Sequence, residues 1–257
     1  MRAATEIEIT VLGSGTRVLL HDRSMSGYAV RRQDFFLLLD CGDGVIRRGL
    51  AAGLQMLEID AILISHQHPD HVADLPPLLW ALHGEGHLRS QRPLYLFGAL
   101  GFKKFFEGIS SLYGDWVGEI PLPIIVHEVF QQDFEIGPWR VHSLPMQHGI
   151  AANGYRLECD GKIIAYTGDT GPCAEAITLA READLFICEC SFPEGEEMPT
   201  HLTAKQAGQI AAEARCHKLL LTHFYPSCLA VDPASQAREL FSGKVELAGD
   251  LMRLIIS

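Results

Sequence analysis

Apolar and polar residues alternate along Glu6-Ile7-Glu8-Ile9-Thr10-Val11-Leu12, the pattern of a strand with one buried face, and Gly13-Ser14-Gly15-Thr16 then turns the chain. Residues 27–31 and 35–40 read as a hairpin closed by Arg32-Gln33-Asp34, with a helix expected over about 45–52. The run Asp60-Ala61-Ile62-Leu63-Ile64-Ser65 is apolar without alternation, as in a strand buried on both faces. It delivers His66-Gln67-His68-Pro69-Asp70-His71 at its end. Val72, Leu75, Leu78, Leu79 and Leu82 follow at helical spacing, so Asp70 and His71 are expected to open a helix.

Further along, 93–98 reads as a strand and 101–112 as a helix. Its stripe of Phe102, Phe105 and Phe106 fits core packing better than a substrate entrance. Strands are expected around 124–130 and 139–144, and a hairpin over 155–159 and 162–166 turns at Asp160-Gly161. A helix at 173–180 leads to a strand at 184–188 that ends at Glu189. Thr203 and Gln206 have capping-box spacing for a helix to about Arg215, and Lys218-Leu219-Leu220-Leu221-Thr222 is a last strand before His223.

Strands and helices thus alternate in two halves with no long polar linker, which predicts an α/β fold, as one large domain over 1–257 or two tightly fused halves. At 257 residues and 47% hydrophobic content, a sizeable core can form. The net charge of -11 argues against a surface that wraps nucleic acid by charge alone, which needs clustered Lys and Arg. Seven cysteines without a CxxC pair point to reduced thiols and a cytoplasmic setting. Residues 1–10 lack the apolar core of a signal peptide, and no run reaches the roughly 18 apolar residues of a membrane span, so no membrane partner is expected.

The chemistry concentrates in the six residues after the buried run. Any one of their histidines alone is better read as a satisfied polar residue. Four metal-binding groups in six positions are a different matter. His66 and His68 alternate in an extended loop and aim one way, while Asp70 and His71 approach from a helix, so two metals are expected. Histidine and carboxylate ligation without cysteine fits an open site with room for water better than a closed structural zinc. His201 falls beside the expected start of the 203–215 helix, whose free N–H groups favour phosphate.

The HxHxDH spacing resembles the signature of the metallo-β-lactamase superfamily. The segments VLGSGT, DRSMS, LLLDCGDG and SHQHPDH resemble the opening of ribonuclease Z and its phosphodiesterase relatives, in register to His223. That resemblance implies a four-layer αβ/βα sandwich, two mixed sheets flanked by helices, with metals at one edge between the sheets. It assigns His66, His68 and His148 to one divalent ion, Asp70, His71 and His223 to the other, and Asp169 to both. Zinc is the first expectation for these ions, manganese or iron the alternatives.

His201 and Glu189 match a pair that acts together in ribonuclease Z-like enzymes, so the implied catalytic set is His201, Glu189 and Asp70. The implied activity is hydrolysis of a small or cyclic phosphodiester by a hydroxide bridging the two metals. The alternatives are tRNA 3′-processing and thioester or ester hydrolysis. Lactam chemistry is disfavoured because lactamases of this superfamily commonly carry cysteine where Asp169 stands. The long arm with which ribonuclease Z grips tRNA is replaced by the hairpin within 150–166, which favours a small substrate over RNA. Relatives often pair, so a homodimer using the Phe102 helix is a further expectation.

Overall fold

A computed structural model describes residues 6–88 and 92–257, so Met1 to Thr5 of the N-terminal stretch lie outside the described residues. The alternating N-terminal segments form an antiparallel meander of β1 (Ile7–Gly13), β2 (Gly27–Arg32) and β3 (Phe35–Leu39). Parallel neighbours follow through helical crossovers: β4 (Ala61–Leu63) after α1 (Val45–Ala51), and β5 (Leu94–Gly98) after α2 (Pro69–Val72) and α3 (Leu75–Glu85). Then α4 (Phe102–Tyr113) and α5 (Asp115–Gly118) lead to β6 (Ile124–Glu128).

The second half repeats the plan. β7 (Gln132–Ile136), β8 (Trp139–Pro145), β9 (Asn153–Cys159) and β10 (Lys162–Tyr166) run antiparallel in sequence. Asp160 and Gly161 both take positive φ, 51° and 74°, as a two-residue hairpin turn of this hand requires. After α6 (Ala174–Ala180) comes β11 (Leu185–Glu189), after α7 (Ala204–Ala214) β12 (Lys218–Thr222), and after α8 (Pro226–Leu229) and α9 (Pro233–Arg238) β13 (Lys244–Leu247), all parallel. The last strand, β14 (Arg253–Ile256), returns to the first sheet and pairs with β1. Two seven-stranded mixed sheets result.

Side chains of successive strand residues explain the layering. Leu37 and Leu39 of β3 enter the core between the sheets, whereas Phe36 and Leu38 enter the core under α1, α3 and α4. Ala61 and Leu63 of β4 part from Ile62 and Ile64 in the same way. With both faces covered, these strands need no polar alternation. Truncating any of these fully buried leucines to alanine should cost about 2–5 kcal/mol. Helices cover the outer face of each sheet, which gives the αβ/βα sandwich the sequence implied. Two buried tyrosines tie the sheets together: Tyr28 Oη lies 2.5 Å from Thr222 Oγ1, and Tyr155 Oη donates to the Ile64 carbonyl at 2.7 Å.

Some expectations differ in detail. The helix opened by Asp70 and His71 stops at Val72, and α3 starts afresh at Leu75. Pro76 and Pro77 are the reason, since proline lacks the N–H a continuing helix needs and fits only its first turn. β7 was not read from the pattern, because its residues are mostly exposed and show no apolar run. Nor were the four elements beyond His223. Phe102 is fully buried, and Phe105 and Phe106 pack against the same core, so the aromatic stripe is packing.

Candidate metal centre

The parallel strands of both sheets point their carboxyl ends at one edge, where an α/β sheet leaves a crevice. Asp40 follows β3, His66 to His71 follow β4, Asp169 follows β10, Glu189 ends β11, and His223 follows β12. His148 arrives from the loop after β8. Asp40 and His223 both take left-handed backbone, φ 58° each, a conformation uncommon for residues other than glycine and frequent at functional sites.

Two donor sets form. His66, His68, His148 and Asp169 each offer an atom within 4.8 Å of the others, and so do Asp70, His71 and His223. In the first, His66 Nε2 lies 3.0 Å and His148 Nε2 3.2 Å from His68 Nδ1. In the second, His223 Nε2 lies 3.5 Å from Asp70 Oδ2. Asp169 spans both, with Oδ2 3.7 Å from His66 Nε2 and Oδ1 3.2 and 3.3 Å from the Nε2 atoms of His71 and His223.

The orphaned atoms test what this arrangement fits. His71 Nε2, His223 Nε2 and Asp169 Oδ1 are buried and make no hydrogen bond. Each unmet group of this kind costs about 1–3 kcal/mol, so three facing one another are a stable feature only if something satisfies them together. A divalent cation does so, and an all-nitrogen-and-oxygen donor set fits zinc, manganese or iron.

A layer behind the donors sets their tautomers. Asp40, fully buried, accepts from Ser65 N at 2.6 Å, Ser65 Oγ at 2.8 Å and Tyr166 Oη at 2.5 Å. His71 Nδ1 is 2.6 Å from Asp40 Oδ2. A carboxylate only accepts, so Nδ1 carries the proton and Nε2 faces the centre. Ser191 Oγ donates to Glu189 Oε2 at 2.7 Å and lies 3.0 Å from His223 Nδ1, which turns His223 Nε2 inward by the same logic. His148 Nδ1 donates to the Thr200 carbonyl at 3.1 Å.

His201 Nδ1 is 2.9 Å from Glu189 Oε1, and Glu189 also accepts from Thr170 N and Leu202 N at 2.8 and 3.1 Å. His201 shares a 4.8 Å neighbourhood with Asp169 and His223. All nine residues singled out from the sequence therefore meet at this edge. Asp40, Ser65, Tyr166 and Ser191 were missed. Asp40 had a signal, a lone acid closing the apolar run of LLLDCGDG, whereas Tyr166 and Ser191 belong to the site only through long-range packing.

Charges in the centre follow burial and neighbours. Burial, with nearby imidazoles, pushes His66 and His68 below the usual histidine range. For His71 burial acts the same way but is outweighed by the carboxylates of Asp169 and Asp40, which raise it. Burial is likewise outweighed at Asp169, where His223 and His71 hold the carboxyl well below its usual range, and at Asp70, which His223 and His71 lower. His201 is raised, because the Glu189 hydrogen bond and charge exceed the cost of burial.

Two glycines let the elements approach. A Cβ at Gly42 would stand 2.2 Å from the Asp70 carbonyl, and one at Gly168, where φ is 59°, 2.4 Å from Ser65 Cβ. The start of α7 departs from expectation. Its capping box is present, but Thr203 N donates to Gln206 Oε1, Gln206 N to Thr203 Oγ1 and Ala204 N to the Phe192 carbonyl. Those amides are satisfied internally, so this helix end is no open phosphate cradle.

Comparison with known proteins places this geometry. The Beta-lactamase superfamily domain model matches residues 36–224. An uncharacterized protein of Mycobacterium leprae (strain TN) is 32% identical over 252 residues, 93% of this chain and 85% of that protein. A ribonuclease Z of Mycobacterium marinum is 29% identical over 278 residues, 96% of this chain and 98% of that protein. The crystal structure of the metallo-beta-lactamase fold protein YhfI from Bacillus subtilis superposes with a TM-score of 0.86 at 25% identity, covering 98% of this chain and 100% of that one.

Proposed function

This chain belongs to the metallo-β-lactamase superfamily, in its ribonuclease Z-like branch, and from that premise we propose that it hydrolyses a small or cyclic phosphodiester with two divalent cations. The observation that carries the reading is the convergence of two donor sets on Asp169, with the His201–Glu189 pair at their margin. His66, His68 and His148 would hold one cation, Asp70, His71 and His223 the other, and Asp169 both. Such ions supply Lewis acidity toward the phosphoryl oxygens and bring a water to ionise near neutral pH.

The chain's own residues supply the rest. Asp40 and Ser191 fix the tautomers of His71 and His223, so the donor nitrogens are ready without rearrangement. Glu189, only 1% exposed and held by backbone amides, orients His201 and keeps it protonated. A protonated His201 gives its proton to the departing oxygen or stabilises charge on the phosphoryl group. Carboxylate at Asp169 and a proton donor at His201 favour phosphodiester over lactam chemistry.

RNA processing is the second reading, favoured by the full-length match to a ribonuclease Z. Against it, residues between His148 and Asp169 are taken up by β9 and β10 within the sheet, and the net charge is -11. The test is turnover by metal-loaded protein on bis-p-nitrophenyl phosphate, 2′,3′-cyclic nucleotides, a thioester and a precursor tRNA. Hydrolysis of the first two in preference to the others is expected. Cleavage of the precursor tRNA alone would support the second reading, and thioester cleavage alone would overturn both.

A further inference from the structure

One group of side chains borders the centre without holding it. Tyr225, at the N-cap of α8, is half-buried, and its ring stands edge-on to both His201 and His223, with 6.2 Å between centroids in each case. Phe192 stacks on that ring at 4.9 Å, 16° from parallel, and meets His201 edge-on at 5.9 Å. Over the same ring lies the guanidinium of Arg17, 5.8 Å from its centroid, delivered by the glycine-bearing turn after β1. These residues come from three remote segments, and the sequence pattern assigned none of them a part.

Two features separate this group from ordinary surface packing. Arg17 is exposed and makes no ion pair among the described residues, in a chain with 32 acidic against 21 basic residues. The Tyr225 hydroxyl makes no hydrogen bond among the described residues either. An uncompensated cation and a half-buried ring therefore stand together next to the donor sets. Guanidinium planes and phenol rings both stack on flat π systems, which an alkyl group cannot exploit.

We propose that Arg17 and Tyr225, backed by Phe192, grip the esterifying group of the substrate and select an aromatic one, a nucleobase being the chemistry that fits. The inference rests on the phosphodiesterase reading and deepens it. The base stacks on Tyr225 while the exposed Arg17 side chain closes over it, which places the phosphorus toward His201 and His223.

Two substrates with one leaving group isolate the effect: the p-nitrophenyl ester of thymidine 5′-monophosphate and methyl p-nitrophenyl phosphate. Metal-loaded wild-type protein is expected to favour the nucleoside ester in kcat/KM by roughly tenfold or more, the order of effect that stacking of a single base produces. That ratio should collapse in Tyr225→Leu and in Arg17→Ala, through KM, and recover in Tyr225→Phe. Equilibrium binding of thymidine 5′-monophosphate against methyl phosphate should show the same preference and the same loss. Arg17 is exposed, so Arg17→Ala should fold normally even if Tyr225→Leu does not. No preference in either measurement, or one that survives both substitutions, overturns the subsite. Preferential binding without turnover of either ester would instead uphold the subsite and sink the hydrolase reading.

Discussion

Replacing Asp40 by asparagine tests how the centre is held without altering any proposed ligand. Asparagine is nearly isosteric and adopts left-handed backbone at least as readily as aspartate, so φ 58° adds no cost. Its amide differs in one respect that matters. Ser65 N–H faces Oδ1 and can only donate, so the amide oxygen must stay there. The NH2 then faces Ser65 Oγ, His71 Nδ1 and Tyr166 Oη, all of which now point hydrogens at Oδ2. Both hydroxyls can rotate to accept. His71 accepts only by moving its proton to Nε2, the atom aimed at the centre.

Loss of the buried charge and its short hydrogen bonds should cost about 3–5 kcal/mol of stability, the range for breaking a buried charged pair. The shifted tautomer should weaken metal binding by roughly 10- to 100-fold. Urea unfolding of metal-free protein measures the first, and competition with a chromophoric chelator the second. If Asp40→Asn unfolds within about 0.5 kcal/mol of wild type and binds metal equally well, Asp40 does not govern His71 and the argument from tautomers is wrong.

Other outcomes follow from the same geometry. His201→Ala should keep its metals and lose roughly 10²- to 10⁴-fold in kcat on a phosphodiester, and turnover at the wild-type rate would remove its role as proton donor. Gly42→Ala, whose Cβ would stand 2.2 Å from the Asp70 carbonyl, should shift α2 and weaken metal binding while Ala at Gly84, which has open space around it and no positive φ, should not, as metal titration of the two variants would show. Six of the seven thiols are buried, and burial pushes Cys216 up to about 12 and Cys41, Cys188 and Cys190 well above the ordinary value. Ellman titration of native protein at pH 8 should therefore register Cys173 quickly and the buried thiols only on unfolding. Because the unfolded thiols release protons first, these groups leave stability unchanged below about pH 8.5 and lower it above, which urea melts at pH 7 and pH 10 would detect.

Legibility from sequence tracked how local each cause was. The HxHxDH cluster, the period-two strands and the Asp160-Gly161 turn depend on neighbours in the chain, and the structure places them where the pattern did. The Thr203–Gln206 capping box is equally local and is present. What failed to show was set by tertiary contact. Exposed β7 gains its strand character from pairing with β8, and Pro76 and Pro77 broke a helix whose apolar spacing ran on unbroken. Tyr166 and Ser191 are ordinary residues in the sequence: Tyr166 joins the site only when the second sheet carries its hydroxyl to Asp40, and Ser191 only when the chain beyond it brings His223 alongside. The expected phosphate cradle at α7 failed for a similar reason, since Phe192 already occupies one of its amides.

Metal content per chain tests the central claim most directly. Protein stripped with chelator, reloaded with zinc or manganese and freed of excess should retain about two equivalents by elemental analysis, and Asp169→Ala close to none. Wild-type protein that retains no metal after reloading, or an Asp169→Ala variant that holds as much as wild type, would contradict the convergence of these seven side chains on two ions.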